Sequence, residues 1–415
     1  MKIHKLAITL ALLLLLMASL HAQTLTVLHT FTGGRDGARP QAGLTMDAGG
    51  NLYGTTQYGG TTNNGAVFKL KRSGSGWILS PLYNFAGGLD GARPMARVVF
   101  GPNGTLYGAT EFGGTTNDCN GGCGTVFNLQ PPPTACTAAL CPWIETIVQR
   151  FTYLAFPESD ITIDSAGNLY GTTYAGGYLA PGGGNGCYPD CGAVYELSPS
   201  NGSWTLAVLY SFRGAEYSDG MNPVGGVTFD NTGNLYGATN MGGSCNFGIV
   251  YRLAPNGSNW NESILQQLCP QAPSPTSSLT FDGSSTFYGS GEGNTPYGAM
   301  PPQIFSLTQS GGGWVFTTIY TFNQNGGGPG RALLLDSAGN LYGTTVSGGS
   351  HNCGVIFKLS PSAGNWTYTD LYDFTGASDG CSPATSLIMD AVGNLYGTTS
   401  SGGGDFDGTV FKFTP

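Results

Sequence analysis

The stretch DSAGNLYGTT, residues 336–345, decides the fold, because near-copies of it recur along the chain. Aligned on LYG, the tyrosines are Tyr53, Tyr107, Tyr170, Tyr236, Tyr288 (as FYG), Tyr342 and Tyr396, separated by 54, 63, 66, 52, 54 and 54 residues. Seven units at a period of about fifty residues indicate a propeller or array, in which each unit buries its apolar face against its neighbours.

Outward from LYG, each unit has the same grammar. A short apolar run precedes it, such as AGLTM (42–46), GGVTF (225–229) or ALLL (332–335), and reads as strand A. An Asp-x-x-Gly-Asn turn leads into strand B, LYGTT, since Asp at the first turn position and Gly at the fourth between extended runs signal a tight hairpin. B ends in a Gly pair, as at Gly59-Gly60 or Gly402-Gly403, and strand C follows, from GAVFKL (65–70) to GTVFKF (408–413). Strand D is an alternating run such as ILSPLYNF (78–85) or TLAVLYSF (205–212), followed by a loop that often reads DGxxP. All six tryptophans, Trp77, Trp143, Trp204, Trp260, Trp314 and Trp366, fall at or near the start of strand D. One aromatic at a fixed place per unit is what packing between neighbouring sheets requires.

Four strands in each of seven units predict an all-β, seven-bladed β-propeller with four-stranded antiparallel blades. The chain opens with LTVLHTF (25–31), a strand D without a preceding motif, and ends after a strand C. The first strand is therefore expected to complete the last blade, a 3+1 closure that protects the sheet edges.

Residues 1–22 carry Lys2 and Lys5, an apolar run and then small or polar residues, the pattern of a secretory signal peptide. A single propeller domain is expected over 23–415. No later stretch approaches the roughly 20 apolar residues of a membrane helix. The net charge of −9 excludes a typical nucleic-acid binder. Only 9% of residues are charged, yet 40% are hydrophobic and 69 are glycine, which suits a large β protein with a core better than a disordered chain. We expect a secreted or cell-surface monomer.

All ten cysteines lie beyond the signal, consistent with an oxidising compartment. Loops B–C and D–A share one face of a propeller, so Cys245 with Cys269 and Cys353 with Cys381 are expected to pair. Cys119 with Cys123 and Cys187 with Cys191 are C-x-x-x-C pairs within single B–C loops. Cys136 and Cys141 share the C–D insert on the opposite face and should pair together. A metal site is disfavoured, because beyond the signal the only histidines are His29 and His351 and thiolate zinc suits a reducing setting. No cofactor or metal is expected.

The turn aspartates Asp47, Asp164, Asp230, Asp336 and Asp390 offer one carboxylate each, too few for calcium, and suit Asx turns. The loop aspartates Asp36, Asp90, Asp219 and Asp379 share the B–C/D–A face and are ligand-binding candidates, although DGxxP also reads as a plain turn. Three segments depart from the repeat: 151–160, the insert 178–190 with Tyr178 and Tyr188, and the degenerate fifth unit around 289–302. The two tyrosines join the binding candidates. No catalytic residue stands out, since neither a serine nor a cysteine has a suggestive histidine partner.

The block LYGTTxxGGxxxxGTVFKL with a downstream LYxF and DGxxP resembles the secreted bacterial tandem-repeat family called GloVer over nearly the whole chain beyond the signal. That resemblance implies an exported, surface-associated propeller; its members often carry a C-terminal anchor or sorting segment, which the end at strand C departs from. A weaker likeness to kelch repeats rests on the Gly doublet and the later tryptophan. The resulting expectation is a non-enzymatic module that binds a protein or glycan through one propeller face. The alternative is an extracellular polysaccharide-acting enzyme using face carboxylates, which would show a deep cleft with convergent carboxyls of raised pKa.

Overall fold

The computed structural model describes residues 23–114, 119, 121–132, 143–152, 155–176, 191–269, 272–295, 298–323, 327–383 and 385–415. The expected signal peptide, Cys136, Cys141, Tyr178, Cys187 and Tyr188 lie outside them. The described chain forms seven antiparallel sheets of four strands, with the inner edge of the fifth split in two.

Blade 1 shows the plan: Thr45–Met46 (A), Leu52–Thr56 (B), Ala66–Ser73 (C) and Gly76–Asn84 (D), each paired with the next. Strand A is only two residues long in most blades, shorter than the apolar runs suggest. The rest of each run makes no ladder, and its buried side chains, such as Leu44 and Val98, pack into the apolar cores between blades. Blade 4 is the exception, with strand A running Gly220–Phe229. In blade 5 the B and C strands lengthen to Thr286–Thr295 and Gly298–Ser310, which accounts for the degenerate repeat. The seventh blade consists of Ile388–Met389, Leu395–Thr399, Thr409–Thr414 and, as its outer strand, Thr24–Thr30. That last pair is antiparallel, with Thr24 opposite Thr414 and Thr30 opposite Thr409.

The LYG signature now has a physical reading for each letter. Leucine is fully buried in every LYG copy, from Leu52 to Leu395. The glycine lies under the aromatic ring of strand C: a Cβ on Gly54 would sit 2.6 Å from Phe68 Cζ, and one on Gly343 2.5 Å from Phe357 Cζ. No larger residue fits without moving the blade core. The tyrosine reaches into the next blade and meets its strand D tryptophan edge-on, with centroids 5.8 Å apart for Tyr107–Trp204, 5.9 Å for Tyr236–Trp314 and 6.0 Å for Tyr288–Trp366. Tyr342 has no tryptophan to meet, because the seventh strand D carries Gln23 at that position; Leu25, aligned with Leu79, shares one apolar cluster with Tyr342.

Threonines stitch neighbouring blades near the axis. Thr162, Thr228 and Thr280 each donate to a carbonyl of the next blade's inner edge, at Val227, Leu279 and Leu333, over 2.5, 2.7 and 2.6 Å. Thr398 of blade 7 donates to Pro40 of blade 1 at 3.2 Å, so the ring is continuous.

The A–B turn is built on its aspartate. Asp336 Oδ1 accepts the N–H groups of Ala338 (2.9 Å) and Asn340 (2.8 Å), and Oδ2 accepts Asn340 Nδ2 (2.8 Å) and the Tyr342 hydroxyl (3.1 Å). Asp47, Asp164, Asp230 and Asp390 repeat the pattern. These carboxylates are consumed by the turn. Partial burial disfavours the charge, but the donors outweigh it and hold Asp47, Asp230, Asp336 and Asp390 below the usual carboxylate range. Asp336→Ala should cost about 1–3 kcal/mol, because Tyr342 and the turn amides lose their acceptor. A urea melt checks this, and an unchanged midpoint would refute it.

Candidate active site at the channel mouth

Two slots of the repeat supply residues to one cavity, among them Tyr174, Glu292 and Val346 from the first and Gln41 and Glu158 from the second. The first follows LYGTT and holds Gln57, Glu111, Tyr174, Asn240, Glu292, Val346 and Ser400 in blades 1 to 7. The second follows the loop proline and holds, among others, Gln41 in blade 1 and Glu158 in blade 3. Pro40 and Pro157 fix the backbone just before these two residues, which lie ahead of the two-residue strand A and line one cavity.

The mouth is a cavity of about 270 Å³, lined by residues from five blades that include Gln41, Glu158, Tyr174, Thr276, Glu292 and Arg331. Gln41 Nε2 donates to Gln57 Oε1 at 3.0 Å, fixing one wall. Two residues beyond the second slot, Arg97 and Asp160 join blades 2 and 3 through an ion pair of 3.0 Å, reinforced by the Arg97 N–H to Asp160 Oδ1 at 2.9 Å. The Thr276 hydroxyl is buried with no hydrogen-bond partner among the described residues.

The carboxyls here are all raised. Burial pushes the Glu292 carboxyl up, and nothing charged opposes it. Burial also pushes Glu158 up, while the Arg331 guanidinium works to restore its charge. Glu111 is raised to about 7 by burial and by its neighbour Glu158, with Arg93 opposing. Two half-buried carboxyls, one of them opposed by a guanidinium, are groups that acid–base chemistry can use.

The expected loop aspartates lie elsewhere. Asp36 accepts the Thr32 amide (3.0 Å), the Thr32 hydroxyl (2.6 Å) and His29 Nε2 (3.1 Å). Asp90 accepts the Tyr83 hydroxyl at 2.6 Å. Asp219, 1% exposed, accepts the Tyr210 hydroxyl and the Arg213 amide, both at 2.9 Å. Asp379 accepts the Tyr372 hydroxyl (3.0 Å) and the Thr375 amide (2.8 Å). Each ties a D–A loop to the end of its strand D, and none lines the cavity. Beside two of them, burial and the adjacent Asp90 or Asp219 raise Glu145 and Glu262 to about 7.

These shifts give stability a mildly acidic optimum. The turn aspartates have depressed pKa values, so their contribution is present above the ordinary aspartate range and is lost as pH falls through their folded values. Glu111, Glu145 and Glu262 are raised, so their contribution is full below the ordinary glutamate range and fades as pH climbs to about 7. Melting temperatures across pH 3–9 should peak at about pH 5, by that linkage. A curve rising steadily to pH 9 would contradict it.

Cys119–Cys123, Cys245–Cys269 and Cys353–Cys381 are disulfides, with Cα separations of 5.3, 5.1 and 4.5 Å, and Cys191 is also disulfide-bonded. They fit an oxidising, extracellular setting. No helix among the described residues is long and apolar enough to cross a membrane, and no His, Cys, Asp and Glu cluster among them could hold a metal ion.

With its ring of seven four-stranded blades, the protein is a β-propeller whose recurring unit is a family signature. The chain belongs to the Gloeobacter/Verrucomicrobia repeat family, whose model matches residues 15–184 and 262–415. No curated protein matches it in sequence. Among solved structures, a protein assigned as a 6-phosphogluconolactonase from Bacteroides uniformis is similar at a TM-score of 0.53 and 15% identity, over 84% of this chain and 88% of that one. A gluconolactonase from Xanthomonas campestris gives 0.44 at 13% identity, over 96% and 92%. A protein assigned as a glucose dehydrogenase-type oxidoreductase from Thermus thermophilus gives 0.45 at 14%, over 95% and 100%. At these identities the likeness is one of fold.

The expectation of a non-enzymatic binding or scaffold module is corrected here. The Bacteroides uniformis protein, named as a 6-phosphogluconolactonase, is built on the same kind of ring. The mouth is a cavity lined by the half-buried carboxyls of Glu158 and Glu292. The sequence reading missed it because Glu111, Glu158 and Glu292 occupy slots that other blades fill with neutral residues. Only alignment of those slots across blades exposes them.

Proposed function

We propose that the protein is an exported hydrolase acting on the glycosidic bonds of a polysaccharide at the channel mouth. The observation that carries this reading is that Glu158, Glu292 and Arg331 line one cavity. Glu292, whose carboxyl burial pushes up, donates a proton to the glycosidic oxygen as the C–O bond breaks. Glu158, where the Arg331 guanidinium opposes the upward push of burial, takes a proton from the water that attacks the anomeric carbon. Tyr174 and Gln41 supply hydrogen-bonding groups to sugar hydroxyls, and the free Thr276 hydroxyl supplies another.

Residues 1–22 act as the export signal in this reading, and the disulfide-bonded remainder works outside the cell. The test is release of reducing ends from a panel of neutral and acidic polysaccharides. Activity should form a bell against pH, falling at low pH as Glu158 protonates and at high pH as Glu292 ionises. No release from any member of the panel would sink the reading.

A further inference from the structure

A ladder of guanidinium and aromatic groups crosses the same face from blade 1 to blade 3. The Arg39 guanidinium lies 5.5 Å from the Tyr58 ring centroid, and the Arg93 guanidinium lies 5.2 Å from the same ring and 4.9 Å from that of Phe112. Phe112 in turn meets Phe156 edge-on at 5.8 Å. Phe156 is two residues before Glu158, and Arg93 acts on Glu111, so the ladder ends at the channel mouth.

The backbone fixes both arginines. Each precedes a proline and sits in the left-handed region, at φ 53° for Arg39 and 54° for Arg93. The Arg39 N–H donates to Asp407 and its carbonyl accepts Gln57; Arg93 does the same with Asn64 and Glu111. That conformation belongs to the repeat, since Phe156, Asn222 and Ser382 share it. The arginine side chains do not belong to it. Neither arginine makes an ion pair with a carboxylate among the described residues, although the chain carries a net charge of −9. With the Tyr58 ring taken up by two guanidinium groups, what the ladder presents outward is N–H forks rather than a flat face for sugar stacking.

We propose that this ladder binds a glycan carrying anionic groups, with Arg39 and Arg93 each forking onto a carboxylate or sulfate oxygen pair. The inference deepens the channel-mouth reading and rests on its saccharide substrate, placing an acidic polysaccharide along the face with its cleaved bond at Glu158 and Glu292. Two guanidiniums held one blade apart match a polymer with repeated charges, and their fixed backbone lowers the ordering cost of binding.

The test is equilibrium binding of the protein to polygalacturonate, dextran sulfate and neutral dextran at low salt, in the Glu292→Gln background so that no substrate is consumed. The expected result is binding to at least one anionic polymer and none to dextran, weakened at least tenfold in Arg39→Gln/Arg93→Gln with melting unchanged. Preference between the two anionic polymers tells carboxylate from sulfate. Arg39→Lys/Arg93→Lys keeps the charge but loses the planar fork, and should also weaken binding severalfold. Equal binding by the parent and both double variants, or no binding to either anionic polymer, would overturn the proposal. Because the readout is affinity, arginine-dependent binding without turnover would separate this inference from the hydrolase reading.

Discussion

A chain lacking residues 23–31 should lose its cooperative thermal unfolding transition, or melt far below the intact protein. The segment does two jobs at once. Its strand pairs with Thr409–Thr414 of the seventh blade, and the Phe31 amide adds a bond to the Gly408 carbonyl at 3.0 Å. Its buried side chains Leu28 and Phe31 pack with Leu44, Leu52 and Phe68 of blade 1, where Phe31 meets Phe68 at 5.3 Å. Removing those two side chains from water contributes about 1.5–3 kcal/mol each. Each ladder bond adds about 1 kcal/mol net. The sum is comparable with the whole stability of a typical protein, about 5–15 kcal/mol. Circular dichroism melts of the two forms decide the matter, and coincident curves would show that the ring holds without this strand. Phe31→Ala alone should cost about 3–5 kcal/mol.

Glu158→Gln and Glu292→Gln should each lower turnover of the responsive polysaccharide by about 100-fold or more, the usual size of a general acid–base contribution. Melting should not fall, because burial disfavours both charges in the folded state and the amide is nearly isosteric. Glu292→Gln should also abolish the alkaline limb of the pH profile, since it is the group that must hold a proton. Glu216→Gln, at an exposed position in a neighbouring loop, should leave activity unchanged. Full activity in both channel variants would move the chemistry elsewhere, whereas loss in Glu216→Gln as well would point to a general charge effect.

The fold was legible because propeller constraints are local and repeated. The LYG glycine is required by the ring of its own blade's strand C, and the aspartate by its own turn, so both recur in sequence wherever the blade does. The length of strand A was less legible, because an apolar run packed between blades reads the same in sequence whether or not it joins a ladder. The site was legible only in outline. Two of the three segments that depart from the repeat, 151–160 and 289–302, do carry Glu158 and Glu292. The loop aspartates drew attention because they recur, and recurrence marked them as loop supports that bond Tyr83, Tyr210, Tyr372 and His29.

By itself, the sequence determined the number of blades, the strands in each, the face on which loops B–C and D–A gather, and cysteine pairs such as Cys353–Cys381. These follow from periodicity and loop parity, which are properties of one unit and its neighbour. Only the tertiary structure decided that Glu158 of blade 3, Glu292 of blade 5 and Arg331 of blade 6 share one cavity. The ring brings together residues more than a hundred positions apart, and their burial then tunes their protons. No spacing in the chain encodes that distance; closure does.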